Sequence, residues 1–210
     1  MQIAIVLYPG FTALDVVGPY EVLSRLPDAE VVFVAESPGL VTNDHGNLSI
    51  YAVEDLDNVP APDIIVIGGG PGQMQQMADG KLHQWLRSVD RTTQWTMSVC
   101  TGSLILAAAG LLMGRRATTY WLALDQLADY GAIPTDERVV IDGKYAIGAG
   151  VSAGIDAALT LVGLIAGEHV AQAAQLIIEY DPHPPFSSGS AATAPNAVVE
   201  DVKKMLVGSV

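Results

Sequence analysis

Residues 63–72 read Asp63-Ile64-Ile65-Val66-Ile67-Gly68-Gly69-Gly70-Pro71-Gly72. An unbroken apolar, β-branched run without polar alternation suits a strand covered on both faces, the environment inside a parallel sheet. The glycines that end it let the backbone turn sharply and approach a ligand closely. Upstream, Ile3-Ala4-Ile5-Val6-Leu7 is a second run of this kind, closed by Tyr8-Pro9-Gly10. A helix is expected to follow, with Thr12 and Asp15 at capping-box spacing and Leu14, Val17, Val22, Leu23 and Leu26 at helical spacing toward Pro27. Downstream, the spacing predicts a helix over Lys81–Arg91, a strand over Gln94–Val99 and a helix over Thr101–Ala109 stopped by Gly110. Strands alternating with helices predict an α/β fold with a doubly wound parallel sheet.

The rest of the chain fits that frame. Glu30–Glu36 reads as a strand, and Leu40–Tyr51 as a short hairpin turning at Asp44-His45-Gly46-Asn47. A helix is expected over Trp121–Tyr130, then a hairpin of Arg138–Ile141 and Lys144–Gly148 about Asp142-Gly143, then helices over Ser152–Ala166 and His169–Ile178. Tyr180–Pro195 is rich in Pro, Ser and Gly and reads as an extended surface segment before a last amphipathic helix carrying Val198, Val199, Val202, Met205 and Leu206. No repeat or domain boundary stands out, so one domain over 1–210 is expected.

Composition narrows the function. Half of the 210 residues are hydrophobic and 16% are charged, which supports a large core and excludes a disordered chain. Ten Lys and Arg against 23 Asp and Glu give a formal charge of −13, a poor match to nucleic acid, whose affinity rests on clustered cations. The single cysteine, Cys100, cannot pair internally, so no oxidising compartment is implied. Met1–Leu7 lacks the basic start of a signal peptide, and the apolar stretches 104–113 and 145–167 are respectively too short and too interrupted to span a bilayer, so a cytoplasmic location and no membrane are expected.

Three chemically suggestive features follow three predicted parallel strands: Asp15, Gly68–Gly72 and Cys100. In an open α/β sheet such strand ends share the edge where ligands bind. Cys100 sits in Ser98-Val99-Cys100-Thr101-Gly102-Ser103, a strand-to-helix junction whose small residues permit a sharp turn like that of a nucleophile elbow. A thiol at a helix N-terminus is expected to have a lowered pKa. The glycine run could aim backbone N–H groups at developing negative charge, and Asp15, beside a thiol and away from water, could donate a proton near neutrality. The plainer alternatives are a packed cysteine, a tight turn and a helix-capping aspartate. The four histidines, His45, His83, His169 and His183, show no metal-ligand spacing, so no metal is expected. Trp121, beside Thr118-Thr119-Tyr120, could line a pocket.

The stretch around Cys100, with Ala107 to Gly110, Leu111-Leu112, Gly114-Arg115-Arg116-Ala117-Thr118-Thr119 and Trp121, resembles the PfpI-like branch of the class I glutamine-amidotransferase-like superfamily. Tyr8-Pro9-Gly10-Phe11, Leu14-Asp15, Gly18-Pro19, Gly150 to Asp156, Glu179 to Pro182 and Pro184-Pro185-Phe186 narrow the resemblance to its isonitrile hydratase group. The resemblance covers most of the chain. It implies a flavodoxin-like three-layer sandwich, a homodimer, and hydration of an isonitrile to an N-substituted formamide with neither metal nor organic cofactor. It further implies Cys100 as nucleophile forming a thioimidate, Asp15 as the essential carboxyl and Thr101 assisting beside the thiol. Gly69, Gly70 and Trp121 would serve the oxyanion and the substrate.

Two positions depart from relatives. Protease-like members carry His directly after the nucleophile where this chain has Thr101, which argues against peptidase activity. Relatives often have His where Tyr120 stands, and a tyrosine seldom acts as a base near neutrality. The same thiolate could instead serve a ligand- or redox-sensing module, or hydrolase or glyoxalase-type chemistry on small carbonyl compounds.

Overall fold

Ile64–Ile67 is a strand with every side chain buried. The computed structural model describes residues 1–207 in two units, Met1–Ile178 and the segment from Glu179 on. The last three positions of the expected 1–210 domain lie outside the described residues.

The first unit alternates strands and helices in chain order: β1 (Gln2–Val6), α1 (Ala13–Leu23), β2 (Glu30–Ala35), β3 (Gly39–Thr42), β4 (Ser49–Ala52), β5 (Glu54–Asp55), β6 (Ile64–Ile67), α2 (Lys81–Val89), β7 (Trp95–Val99) and α3 (Gly102–Ala108). It continues with β8 (Arg116–Ala117), α4 (Gln126–Asp129), β9 (Ile133–Pro134), β10 (Val139–Asp142), β11 (Tyr145–Gly148), α5 (Ala153–Ala166) and α6 (Glu168–Ile177). Seven strands form one sheet in the order β10-β11-β7-β6-β1-β2-β5. Every pairing is parallel except β10 with β11. Helices flank the sheet, so the architecture is the doubly wound, mostly parallel α/β sheet that the alternation predicts and the flavodoxin-like sandwich that the resemblance implies.

Packing explains the sequence pattern. The apolar runs of β1, β6 and β7 lie at the middle of the sheet, where no face meets water, and Ile3, Ile5, Ile64, Ile65, Ile67, Met97 and Val99 are all fully buried. Burying a side chain of this size contributes about 1.5–3 kcal/mol, so these strands are the energetic centre of the fold. Register aligns their C-terminal ends: Val6 pairs with Ile67, Ile67 with Ser98, and Val99 with Gly148. Strand order reverses beside β1, because the connection through α1 runs to β2 on one side while β6 and β7 lie on the other. This reversal is the crevice where open α/β sheets bind ligands.

Several expectations need correction. The predicted helix over Trp121–Tyr130 is a 3₁₀ turn, Trp121–Ala123, and a short α4. Leu122 is only half-buried and Asp125 and Gln126 are exposed, so no continuous apolar stripe binds the segment to the core. The strand pair β8 and β9, the short β5 and the 3₁₀ turn Pro71–Met77 were not predicted; the two strand pairings depend on residues distant in sequence. In the second unit, Tyr180–Pro195 holds neither strand nor helix, and α7 (Asn196–Val207) follows it. Among the described residues, no helix is long and apolar enough to cross a membrane.

Candidate active site

Cys100 follows the last residue of β7 with φ +55°, the left-handed region that a non-glycine residue enters only at a cost of about 1–3 kcal/mol. Neighbours hold it there from both sides. Its N–H donates to Gly148 O at 3.1 Å, while its carbonyl accepts from Ser103 Oγ at 3.2 Å and Thr119 Oγ1 at 2.9 Å. Gly102 lets α3 start directly against β6, since a Cβ there would lie 2.4 Å from Ile67 O. The result is a sharp strand-to-helix turn presenting the thiol, which the sequence reading expected.

Asp15 reaches the same place from α1 and is fully buried. The capping box does not form. Thr12, the N-cap, makes no side-chain cap bond, and its Oγ1 donates instead to Asp44 Oδ2 at 2.9 Å. The Asp15 side chain turns to the glycine loop, where Oδ2 accepts from Gly69 N at 2.7 Å. Its other oxygen, Oδ1, is buried without a hydrogen-bond partner of sound geometry, although the Cys100 sulfur is close enough to act on the carboxyl.

The loop after β6 is held at both ends of two successive peptide units. Tyr8 Oη donates to Gly68 O at 2.7 Å, and the N–H of that same unit, from Gly69, is the one donated to Asp15. In the next unit, Gly69 O accepts from Thr12 N at 2.8 Å and Gly70 N donates to Thr101 Oγ1 at 3.1 Å. Gly69 has to be glycine, because a Cβ would stand 2.5 Å from both Thr101 N and Thr101 Oγ1. Gly70 has φ +130° and equally little room beside Thr12 N. These two N–H groups, expected to face an oxyanion, are committed to Asp15 and Thr101, so what they orient is the acid and the hydroxyl.

Burial decides the electrostatics. Desolvation lifts Asp15 to about 7, against the smaller downward pull of Gly69 N–H and Cys100, with Asp44 adding a further upward push. Burial likewise pushes the Cys100 thiol well above the ordinary range, and the Asp15 charge adds to it. The Thr101 N–H and hydroxyl act the other way by donating toward the sulfur. The expectation of a lowered thiol pKa is therefore overturned for the resting pair. A helix terminus contributes about 0.3–1 kcal/mol, less than one pKa unit, whereas burial can move a group by about 3–5 units. Tyr8 is raised for the same reason, so it remains a protonated donor.

The structure thus brings together Asp15, Gly69, Gly70, Cys100 and Thr101. It places Trp121, half-buried, against Tyr120 with ring centroids 6.0 Å apart. Sequence reasoning missed the roles of Tyr8, Thr12, Asp44 and Thr119. Tyr8 and Thr119 lie inside stretches that carried the resemblance, but nothing local showed what their hydroxyls would bond.

Comparison with known proteins places the chain in a family. The chain is 45% identical to an isonitrile hydratase of Pseudomonas putida, over 97% of this chain and 89% of that one. It is 32% identical to the HTH-type transcriptional regulator CdhR of Pseudomonas aeruginosa, over 79% of this chain but only 51% of the regulator. Among solved structures, a ThiJ/PfpI family protein from Pseudomonas syringae superposes with a TM-score of 0.95 at 39% identity, covering 99% of this chain and 86% of that one. The DJ-1/PfpI family model matches residues 1–164, the stretch that carries β1, the glycine loop and Cys100, and the chain belongs to the DJ-1/PfpI family.

Proposed function

We propose that this protein hydrates an isonitrile to an N-substituted formamide, with Cys100 as nucleophile and Asp15 as the group that moves the proton. The observation that carries the reading is the buried Asp15 carboxyl beside the thiol, held by Gly69 through Oδ2 and unpartnered at Oδ1. A carboxyl near 7 is present in both protonation states at neutral pH, so one group can take a proton and return it. The likeness to the Pseudomonas putida enzyme supplies the substrate class.

The terminal isonitrile carbon accepts both a nucleophile and a proton. Ionised Asp15 takes the thiol proton, the sulfur forms an S–C bond to that carbon, and Asp15 delivers the proton to the same carbon. The product is a thioimidate, R–N=CH–S–Cys100. Water then adds to the carbon, the nitrogen gains a proton, the C–S bond breaks, and the formamide R–NH–CHO leaves with the thiol restored. One water is consumed in all, and no electron changes hands. The high pKa of the free thiol suits this scheme, because the proton travels within the pair and is not released to solvent.

Thr101 would steady the developing thiolate, with its own hydroxyl oriented by Gly70. Trp121 would border the substrate's R group, and a cytoplasmic homodimer would be the working form; a monomer mass by light scattering would remove the dimer from this reading. Incubation with a small alkyl isonitrile, followed by detection of the formamide, tests the function. Turnover is expected for the native protein and a loss of at least about a hundredfold for Cys100→Ala. Equal rates for the two would sink the reading.

A further inference from the structure

The turn between β3 and β4 folds against the segment that leads into α1. Asp44 N donates to Phe11 O at 2.9 Å, Gly10 N donates to Thr42 O at 2.9 Å, and Phe11 pairs with Asn43 as an isolated bridge. This clamp fixes the Asp44 carboxyl on Thr12 Oγ1, and Thr12 N in turn holds Gly69 O. Asp44 therefore stands two hydrogen bonds from the glycine loop whose N–H groups hold Asp15 and Thr101. His45 N and Asn43 Nδ2 donate to its other oxygen, so among the described residues the carboxylate is satisfied by donors from its own turn and from Thr12, without an ion pair.

The charges around the thiol are one-signed. Among the described residues, the charges that bear on Tyr8, Asp15 and Cys100 are carboxylates and the thiolate: Asp15 and Asp44 bear on Tyr8, Asp44 bears on Asp15, and Asp15 bears on Cys100. The Lys and Arg ion pairs of the first unit are made elsewhere: Arg25 with Glu21, Lys81 with Asp57, Arg87 with Asp79, Arg115 with Asp142, Arg116 with Glu137, Arg138 with Asp156 and Lys144 with Asp90. A negative group nearing the thiol would face the buried Asp15 and, one hydrogen bond beyond Thr12, the part-buried Asp44, and partial burial weakens screening there.

We propose that Asp44, clamped beside the Asp15–Cys100 pair through Thr12, is a specificity-determining residue that excludes anions, so that the site takes uncharged or cationic small electrophiles and turns away carboxylate-bearing ones. Applied to isonitriles, this rests on the function proposed above; as a property of the thiol's approach, it stands without it.

Two alkylating reagents separate the cases. Iodoacetamide is neutral and iodoacetate is an anion, and both react in the same way: the Cys100 sulfur forms a bond to the CH₂ carbon, the C–I bond breaks and iodide leaves. Both consume the same thiolate, so the ratio of their rates cancels the thiolate fraction and reads charge discrimination alone. Cys100 is the only cysteine, so the mass of the intact protein reports the labelling. The measurement is made at about pH 8. Relative to N-acetylcysteine amide, the native protein is expected to favour iodoacetamide by about tenfold or more.

Asp44→Asn should shrink that preference by at least about threefold, Asp44→Glu should keep it, and Asp125→Asn, which removes an exposed charge on another segment, should leave it in place. An unchanged ratio in Asp44→Asn, or an equal change in Asp125→Asn, overturns the proposal. Should Asp44→Asn fail to fold, the native protein still decides: raising salt from about 10 mM to about 1 M must compress the preference, and a salt-independent ratio overturns the proposal. Neither readout involves an isonitrile, so failure of the hydration assay and failure of this proposal are separate results.

Discussion

At Asp15 and Cys100 the same burial that raises one pKa also raises the other, and the two residues cannot both ionise cheaply. Replacing Asp15 by Asn should therefore act in opposite directions on two measurements. Turnover of an isonitrile should fall by at least about a hundredfold, because no group remains to carry the proton to carbon. Alkylation of Cys100 by iodoacetamide at about pH 8 should instead become about tenfold faster, since removing the neighbouring negative charge lowers the thiol pKa and each unit multiplies the thiolate tenfold. Loss of both reactivities would point to a collapsed site, and retained turnover would return Asp15 to a structural role. A residue that only capped α1 would move neither reading in this way.

At the scale of elements, the loop after β6 joins the site's two halves, and its glycines differ in what they permit. A methyl group at Gly69 would overlap Thr101 N and Oγ1, whereas one at Gly80, the residue before α2, would meet nothing nearer than Ala78 O at 3.9 Å. Gly69→Ala should lower turnover by at least about tenfold and cost about 1–3 kcal/mol of stability as the loop is pushed off Thr101, while Gly80→Ala should leave both nearly unchanged. Matching kinetic and thermal-unfolding profiles for the two variants would refute the close-approach argument. Elements of this kind were largely legible in sequence. Ile3–Leu7, Asp63–Ile67 and Gln94–Val99 advertise buried strands, and the strand-end rule alone brings Asp15, the glycines and Cys100 to one edge. What escaped is long-range. The Thr12–Asp15 spacing satisfies a local capping rule, yet Asp44, 32 positions along the chain from Thr12, takes the hydroxyl and leaves Asp15 to Gly69. The helix dipole is likewise a local cue, and it lost to a desolvation that only the assembled core can impose.

Across the whole molecule, a carboxyl lifted to about 7 by burial makes folding depend on pH in a defined sense. The ordinary value is 3.8, so between about 4 and 7 the folded chain keeps a proton on Asp15 that the unfolded chain has already lost. The native state thus binds more protons over this window, and stability from this group is present below about pH 4 and is lost as pH rises through about 7. A displacement of this size corresponds to about 4 kcal/mol at most, because one pKa unit is about 1.4 kcal/mol. Asp79, held low by Arg87, runs the opposite way, so the native curve alone does not isolate the effect. Subtraction does. Asparagine is nearly isosteric, can accept the Gly69 N–H and carries no charge, so Asp15→Asn should unfold several degrees above the native protein at about pH 8 and converge with it near pH 4. Calorimetry or circular dichroism at the two pH values measures the difference. An Asp15→Asn variant less stable than the native protein at both would mean that the ionised carboxylate is a favourable part of the core, and that a proton shuttle there has no raised pKa to draw on.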